Sequence, residues 1–276
     1  MKKQKTQASI LRFLVRAAAF VTASLLLFMI GYILVRGVPH IRLSLFAWDY
    51  NSENVSLLPA LLNTIIMTFL SLLLALPIGI FSAIYMVEYA KKKSKLVGLV
   101  QITSETLSGI PSIVYGLFGL LFFVTSLGWG MSLLAGACTL AIMILPLIMR
   151  TTEEALYAVP DQFREGSFGL GAGKLRTIFK VVLPSAVPGI LAGVILAIGK
   201  IVGETAALIY TAGTVAKLPE SFFSSTRTLS VHMYALSSEG LYMNEAYATA
   251  VVLLVLVIGI NTLSAYIAKK VAKGGN

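Results

Sequence analysis

The chain has 276 residues, of which 57% are hydrophobic and only 12% charged, with a mean hydropathy of +0.87. A soluble domain needs roughly a quarter of its residues charged to cover its surface, so this composition excludes a free-standing water-soluble fold and points to lipid as the solvent. The formal net charge of +10 raises nucleic acid as a partner, which the placement of the charges argues against.

A bilayer core about 30 Å thick takes about 20 apolar residues of helix. The first such stretch covers residues 17–35, behind Lys2, Lys3, Lys5, Arg12 and Arg16. It is longer than the roughly 7–15 residues of a signal-peptide core, and no small-x-small cleavage site follows, so it is expected to be a membrane helix. The second covers 57–87 and contains Pro77, which removes a backbone donor and is expected to kink it. The third covers 107–127, with Pro111 near its start, and Gly128-Trp129-Gly130 then reads as a tight turn. The fourth covers 131–149 and holds the single cysteine, Cys138, beside Gly136 and Ala137. One cysteine excludes an intramolecular disulfide framework, and here it reads as a small packing residue. The fifth covers 187–213 and the sixth 246–268. The expectation is an all-α integral membrane protein with six transmembrane helices.

Six spans put the basic residues on one side. Lys91, Lys92, Lys93 and Lys95 follow the second span. Arg150, Arg164, Lys174, Arg176 and Lys180 follow the fourth, and Lys269, Lys270 and Lys273 the sixth. The opposite loops hold only Arg36, Arg42, Lys217 and Arg227. The positive-inside rule makes the basic side cytoplasmic, with both termini there. The basic excess is thus a topology and lipid-surface signal, with no nucleic-acid partner expected. Trp129, Tyr234 and Tyr242 fit an aromatic belt.

The inner segment 150–186 is the one sizeable polar stretch. Thr151 or Thr152 can cap a short helix through Tyr157, which Pro160 ends. Asp161 reads as the N-cap of a helix over 162–170. Gly171 and Gly173 break it, and 174–182 makes a third helix. The alternatives are a compact surface for a partner and an ordinary solvated loop.

The fifth span carries Lys200 and Glu204 among Gly, Ala, Ile and Val. A charge at the bilayer centre costs roughly 2.5–3.5 kcal/mol on insertion scales and usually marks a pathway. Four residues apart on a continuous helix, the two share a face. Gly199 with Gly203, and Gly189 with Gly193, have the spacing that lets helix backbones approach closely. One reading is an ion pair that neutralises itself. The other is an anion gate, in which Lys200 meets the anion and Glu204 accepts a hydrogen bond from an anion that still carries a proton. Such a carboxylate favours monohydrogen phosphate over sulfate.

Several chemistries are absent. Gly169-Leu-Gly171-Ala-Gly173 has the wrong spacing for a dinucleotide fingerprint. A Walker A loop fails because Phe168 stands at its first glycine and Leu175 at its Ser/Thr. No HExxH, GxSxG or metal-spaced Cys/His set occurs, and His40 and His232 stand alone. No metal, no cofactor and no covalent catalysis are expected in this chain, and nucleotide, if used, belongs to another polypeptide.

Glu165-Gly166-Ser167, then Gly171, then Val181-Val182-Leu183-Pro184 resembles the cytoplasmic "EAA" loop of bacterial ABC importer permeases. That pattern is Glu-Ala-Ala, a glycine four residues on, nine residues, then Ile-x-Leu-Pro. Gly166 and Ser167 replace the alanines, and Val181 the isoleucine. Gly199-Lys200-Ile-Val-Gly203-Glu204-Thr205-Ala206 resembles the fifth-helix Arg-x-x-Gly-Glu-Thr motif of phosphate importer permeases. Ser108-Gly-Ile-Pro111-Ser112-Ile-Val-Tyr-Gly116 is similar to another stretch of that subfamily. Lys200 stands where Arg is usual, which keeps the charge but not the planar bidentate contact.

The similarity covers about 57–268, which divides the chain into a tail, first span and outer loop (1–56) and a permease core (57–276). It implies a type I importer permease, most like the PstA-type subunit, in a bacterial plasma membrane. In that picture Glu165 to about Gly173 forms a coupling helix docked on a separate ATPase, with Leu183 and Pro184 closing the motif. Lys200, Glu204 and Thr205 line the anion path. The implied partners are a PstC-type permease, PstB-type ATPase subunits that bind the ATP, a PstS-type phosphate-binding protein received by the outer loops (214–245 above all), and inorganic phosphate moved by alternating access. The rivals are a permease for another solute such as molybdate, sulfate or an amino acid, an ion-coupled secondary carrier, and a membrane scaffold.

Overall fold

The computed structural model describes residues 2–91 and 94–273, with side chains for 10–91, 94–238 and 240–270. Lys92 and Lys93 lie outside the described residues, as do the side chains of Lys2, Lys3, Lys5 and Lys273. Regular structure among the described residues is helical throughout. Helix α1 is Lys2–Gly37, so the basic tail continues the first span without a break. Two 3₁₀ turns lead to α2, Leu58–Ile84, which contains Pro77 and runs on through a π turn, Tyr85–Tyr89. Then come α3 (Lys95–Ser108), α4 (Ser112–Gly119, extended by a π turn Leu120–Ser126) and α5 (Leu133–Tyr157). The inner segment holds α6 (Asp161–Gly169) and α7 (Lys174–Thr177), and a π turn, Ile178–Val182, leads into α8 (Leu183–Val202). The chain ends with α9 (Ala206–Thr211), α10 (Leu229–Glu239) and α11 (Met243–Lys273). Five helical stretches are long and apolar enough to cross a bilayer, and a sixth span exists if α3 and the α4 stretch, bent by 104°, count as one.

Three sequence expectations change. The third span is not a straight helix over 107–127, because Gly109 and Pro111 interrupt it and turn α3 away from α4. The fourth does not stop at Met149 before a capped short helix. α5 continues to Tyr157, and the Thr151 hydroxyl donates to the Leu147 carbonyl at 2.9 Å inside it. Hydroxyls back-bond in this way as readily as they cap. The fifth starts earlier, at Lys174, and breaks at residues 203–205 instead of running to Gly213. The turn at 128–130 forms as read, with positive φ at Gly128 (67°) and Gly130 (66°).

Helix α5 is the centre. Two thirds (67%) of its apolar window is buried, against none (0%) for α1. Its small residues explain the position: a Cβ on Gly136 would stand 2.9 Å from both Met67 of α2 and Ala212. Met67, Leu140, Met143, Ile144, Ile148 and Leu208 form the main core. Polar side chains within the spans serve their own helices: Thr64, Thr68, Ser71 and Thr139 donate to carbonyls four residues back at 2.7–2.8 Å. Without water in the bilayer core, such internal bonds are what make these residues tolerable. A second core, with Ile84, Leu156, Ile178, Val182 and Ile190, gathers the inner ends of α2, α5 and α8. Helix α1 packs mainly against α11 and otherwise presents Phe13, Phe20 and Leu27 outward.

Candidate translocation and coupling sites

The break between α8 and α9 reorganises the charged motif. Gly203 ends α8, and Glu204 follows in the gap, only 9% exposed. Its carboxylate Oε1 accepts from the backbone amides of Thr205 (3.2 Å) and Ala207 (3.1 Å). The first amides of a helix have no intrahelical acceptor, and the helix dipole favours a negative group there. Glu204 therefore caps α9. Thr205 begins that helix, half-buried, with its hydroxyl only within marginal reach (3.5 Å) of the Gly203 carbonyl. The Ser230 hydroxyl donates to the Glu204 carbonyl at 2.5 Å, and the Leu229 amide to Thr64 Oγ1 of α2 at 2.8 Å, so the start of α10 pins the break to α2.

Lys200 and Glu204 thus do not share a helical face, as a continuous helix would require. Nor do they pair: Lys200 is exposed in the last turn of α8, with no ion pair among the described residues. The glycines divide similarly. A Cβ on Gly189 would stand 2.7 Å from Ala155, and one on Gly193 2.6 Å from Thr151, so both face α5. Among the described residues, a Cβ on Gly199 would have nothing within 4 Å and one on Gly203 would meet only its own helix, so this pair makes no helix interface there.

The two motif segments meet. The Tyr115 hydroxyl donates to the Leu107 carbonyl at 2.8 Å, across the bend before α4. Gly116 then lies on α9, where a Cβ would stand 2.8 Å from Ala207 Cα.

The inner segment is ordered. Pro160 precedes α6 at the cap position, and Asp161 sits inside the first turn, so it does not act as the N-cap. Glu165 and Gly166 are exposed and Ser167 is half-buried, hydrogen-bonded to the Thr177 hydroxyl at 2.8 Å. Gly171, with φ of +80°, ends α6: its amide donates to Phe168 and that of Ala172 to Ser167. This is the left-handed closing turn that favours glycine. Leu183 and Pro184 stand at the start of α8, directly after the π turn Ile178–Val182. Phe163, Phe168, Leu175 and Leu170 (91% exposed) stand out from this loop. Exposed apolar side chains on an otherwise polar segment are the kind of surface a partner covers.

Composition gave no hint of a buried polar group near the outer surface. Tyr50 lies between Arg227, 4.7 Å over its ring, and His232, edge-on at 6.0 Å. Among the described residues, neither His232 nitrogen, nor Nε and Nη2 of Arg227, has a hydrogen-bond partner. Burial first and the Arg227 charge second push His232 down to about 3, against an opposing pull from the Val55 backbone. The unfolded chain takes up this proton near pH 6.5 while the folded one resists it. The contribution to stability is therefore complete above about pH 6.5 and falls as pH drops toward 3. Thermal midpoints in detergent between pH 7.5 and 4 are expected to fall less steeply for His232→Gln than for the wild type. Equal slopes would show that this ring does not titrate as described.

An all-helical membrane fold whose longest polar segment folds into short helices matches the architecture of a transporter's membrane subunit. The family model for the binding-protein-dependent transport system inner membrane component matches residues 75–273, and the chain belongs to this family. It is 32% identical over 273 residues to the probable ABC transporter permease protein YqgI of Bacillus subtilis (strain 168), covering 92% of each chain. It is 34% identical over 211 residues to the phosphate transport system permease protein PstA 1 of Mycobacterium tuberculosis, covering 75% of this chain and 69% of that one. Among solved structures, the inward-facing MetNI methionine ABC transporter aligns with a TM-score of 0.60 at 22% identity, over 88% of this chain and 97% of the other. That likeness fixes the type I permease fold. The protein is a multi-pass plasma-membrane permease subunit of an ABC importer and not itself an enzyme. The family works with a partner permease, a separate ATPase chain and a substrate-binding protein.

Proposed function

We propose that this chain is the PstA-type permease of an inorganic phosphate importer. In this reading it pairs with a PstC-type permease, two PstB-type subunits that bind and hydrolyse ATP, and a PstS-type binding protein docked on the outer loops. Both termini are cytoplasmic. The observation that carries the substrate is the helix break, with a buried, anchored carboxylate at Glu204 and, four residues earlier in the chain, an exposed cation at Lys200. Oε1 of Glu204 is committed to two amides, and Oε2 has no protein partner among the described residues. A monohydrogen phosphate can donate its proton to that oxygen, while a fully deprotonated sulfate is only repelled. Lys200 supplies the attracting charge at the mouth of the break. The phosphate-transport names of several relatives support the same substrate. The Glu165–Pro184 loop passes closure of the ATPase to the spans, which alternate between outward and inward access.

Radiolabelled phosphate uptake at low external phosphate tests this in cells with and without the chain. Deletion is expected to remove ATP-dependent, high-affinity uptake. Lys200→Ala is expected to restore less than about a tenth of it, equivalent to losing about 1.4 kcal/mol of transition-state stabilisation. Unchanged uptake on deletion, in cells without another phosphate system, would sink the phosphate reading.

A further inference from the structure

The inner end of α2 grips the coupling loop at both of its ends. The π turn Tyr85–Tyr89, closed by the Ala90 amide on the Tyr85 carbonyl at 2.9 Å, carries Glu88 and Tyr89 toward that loop. Oε1 of Glu88 accepts from Nη2 of Arg164 at 2.7 Å and from Nε at 3.1 Å. The same guanidinium donates from Nη2 to the Leu156 carbonyl (3.0 Å), and from Nη1 to the Val159 carbonyl (2.8 Å) and to Asp161 (3.2 Å). All five N–H donors of the side chain are used. The pair is buried, at 15% and 9% exposure for the Arg164 and Glu88 side chains. At the far end of the loop, the Lys174 ammonium lies 4.8 Å over the Tyr89 ring. The surface salt bridge Arg150–Glu154, by contrast, is about two-thirds exposed on both sides and holds nothing together.

We infer that Arg164, through Glu88, is the positioning residue that makes α6 move as one body with the inner ends of α2 and α5, and that Lys174 on Tyr89 steadies the other end. All five of its donors are taken within the chain, which leaves none for solute or nucleotide. Its role is to convert displacement of the docking helix into displacement of two spans, where a loose loop would absorb it. This inference rests on membership of the importer-permease family and not on the phosphate reading. The buried pair is a rigid link because breaking it strands one charge away from water.

The test uses the complete transporter in proteoliposomes, with ATP hydrolysis and phosphate uptake read from the same vesicles. Arg164→Met keeps length and loses every donor. It is expected to lower uptake at least about tenfold while ATP hydrolysis stays within about twofold, so that solute moved per ATP collapses. Glu88→Gln, which keeps the acceptor oxygen and the fold, is expected to lower the same ratio less. The double variant is expected to add little to Arg164→Met, as for two members of one link. An unchanged ratio in Arg164→Met, or in Glu88→Gln where Arg164→Met does not assemble, overturns the inference. Wild-type vesicles that take up no phosphate would refute only the substrate. The link is then read from spin labels replacing the exposed Gln162 of α6 and Tyr85. Their separation is expected to stay constant through the ATP cycle in the wild type and to change in Arg164→Met. A constant separation in both overturns the inference.

Discussion

Glu204→Ala is expected to abolish transport and destabilise the protein, while Glu204→Gln folds and loses discrimination. The alanine leaves two backbone amides at the start of α9 without an acceptor in a buried gap. Losing a helix cap costs about 1 kcal/mol, and an unsatisfied buried donor about 1–3 kcal/mol. The break between α8 and α9 then loses the group that defines it. Glutamine retains a carbonyl oxygen for those amides but lacks the negative charge, and offers an N–H where Oε2 was. It should therefore unfold near the wild-type midpoint, yet admit sulfate in competition with phosphate. Competition uptake assays with a thermal melt on each variant separate the two roles. Full phosphate transport with unchanged rejection of sulfate in Glu204→Gln would refute the gate.

The second large effect is predicted at the α5–α8 contact. A side chain on Gly193 would run directly into Thr151, whose hydroxyl already back-bonds within α5. Overpacking of a close contact costs typically about 1–3 kcal/mol, and here the obstacle sits on a helix that is itself fixed in the core. Gly193→Val is expected to lower the melting midpoint by several degrees, on the order of 2–4 °C for each kcal/mol in a chain of this size. Gly199→Val is the control, since among the described residues nothing lies within 4 Å of a side chain at that position. It should melt like the wild type. If it also weakens co-purification of the partner permease, the outer half of α8 faces that subunit.

The long spans were legible because a bilayer demands length and apolarity, and both can be counted in the chain. The breaks were not, because apolar residues continue on both sides of them. Gly203-Glu204-Thr205 sits between Ile201-Val202 and Ala206-Ala207-Leu208, and periodicity alone carries an α-helix straight through. What ends the helix is a carboxylate that satisfies two amides, a tertiary bargain invisible to a face-by-face reading. Thr151 was misleading for the opposite reason: the same hydroxyl that caps a helix also fits inside one. Glu88 escaped notice although a signal existed. It is the one carboxylate at the inner end of an otherwise apolar span, followed at once by a run of lysines, and a lone acid in that place needs a cation. His232 and Arg227 gave no signal, since their burial depends on Tyr50 returning from a distant segment.

Helix α5 has a consequence for gearing. Its 25 residues make a rod about 37 Å long at 1.5 Å per residue. Its inner end carries the carbonyl of Leu156, which Arg164 holds, and the Ser132 amide at its outer cap donates to the Thr211 carbonyl, the last residue of α9. Glu204 sits at the other end of α9. With Pro146 as its pivot, the outer arm to Leu133 is about 20 Å long, and a tilt of roughly 10° imposed below swings its tip by about 3 Å. The one compliant point along it is Pro146, where a backbone bond is missing. Under the proposed function, the arms on either side of that pivot set how far Glu204 travels for a given stroke of the motor.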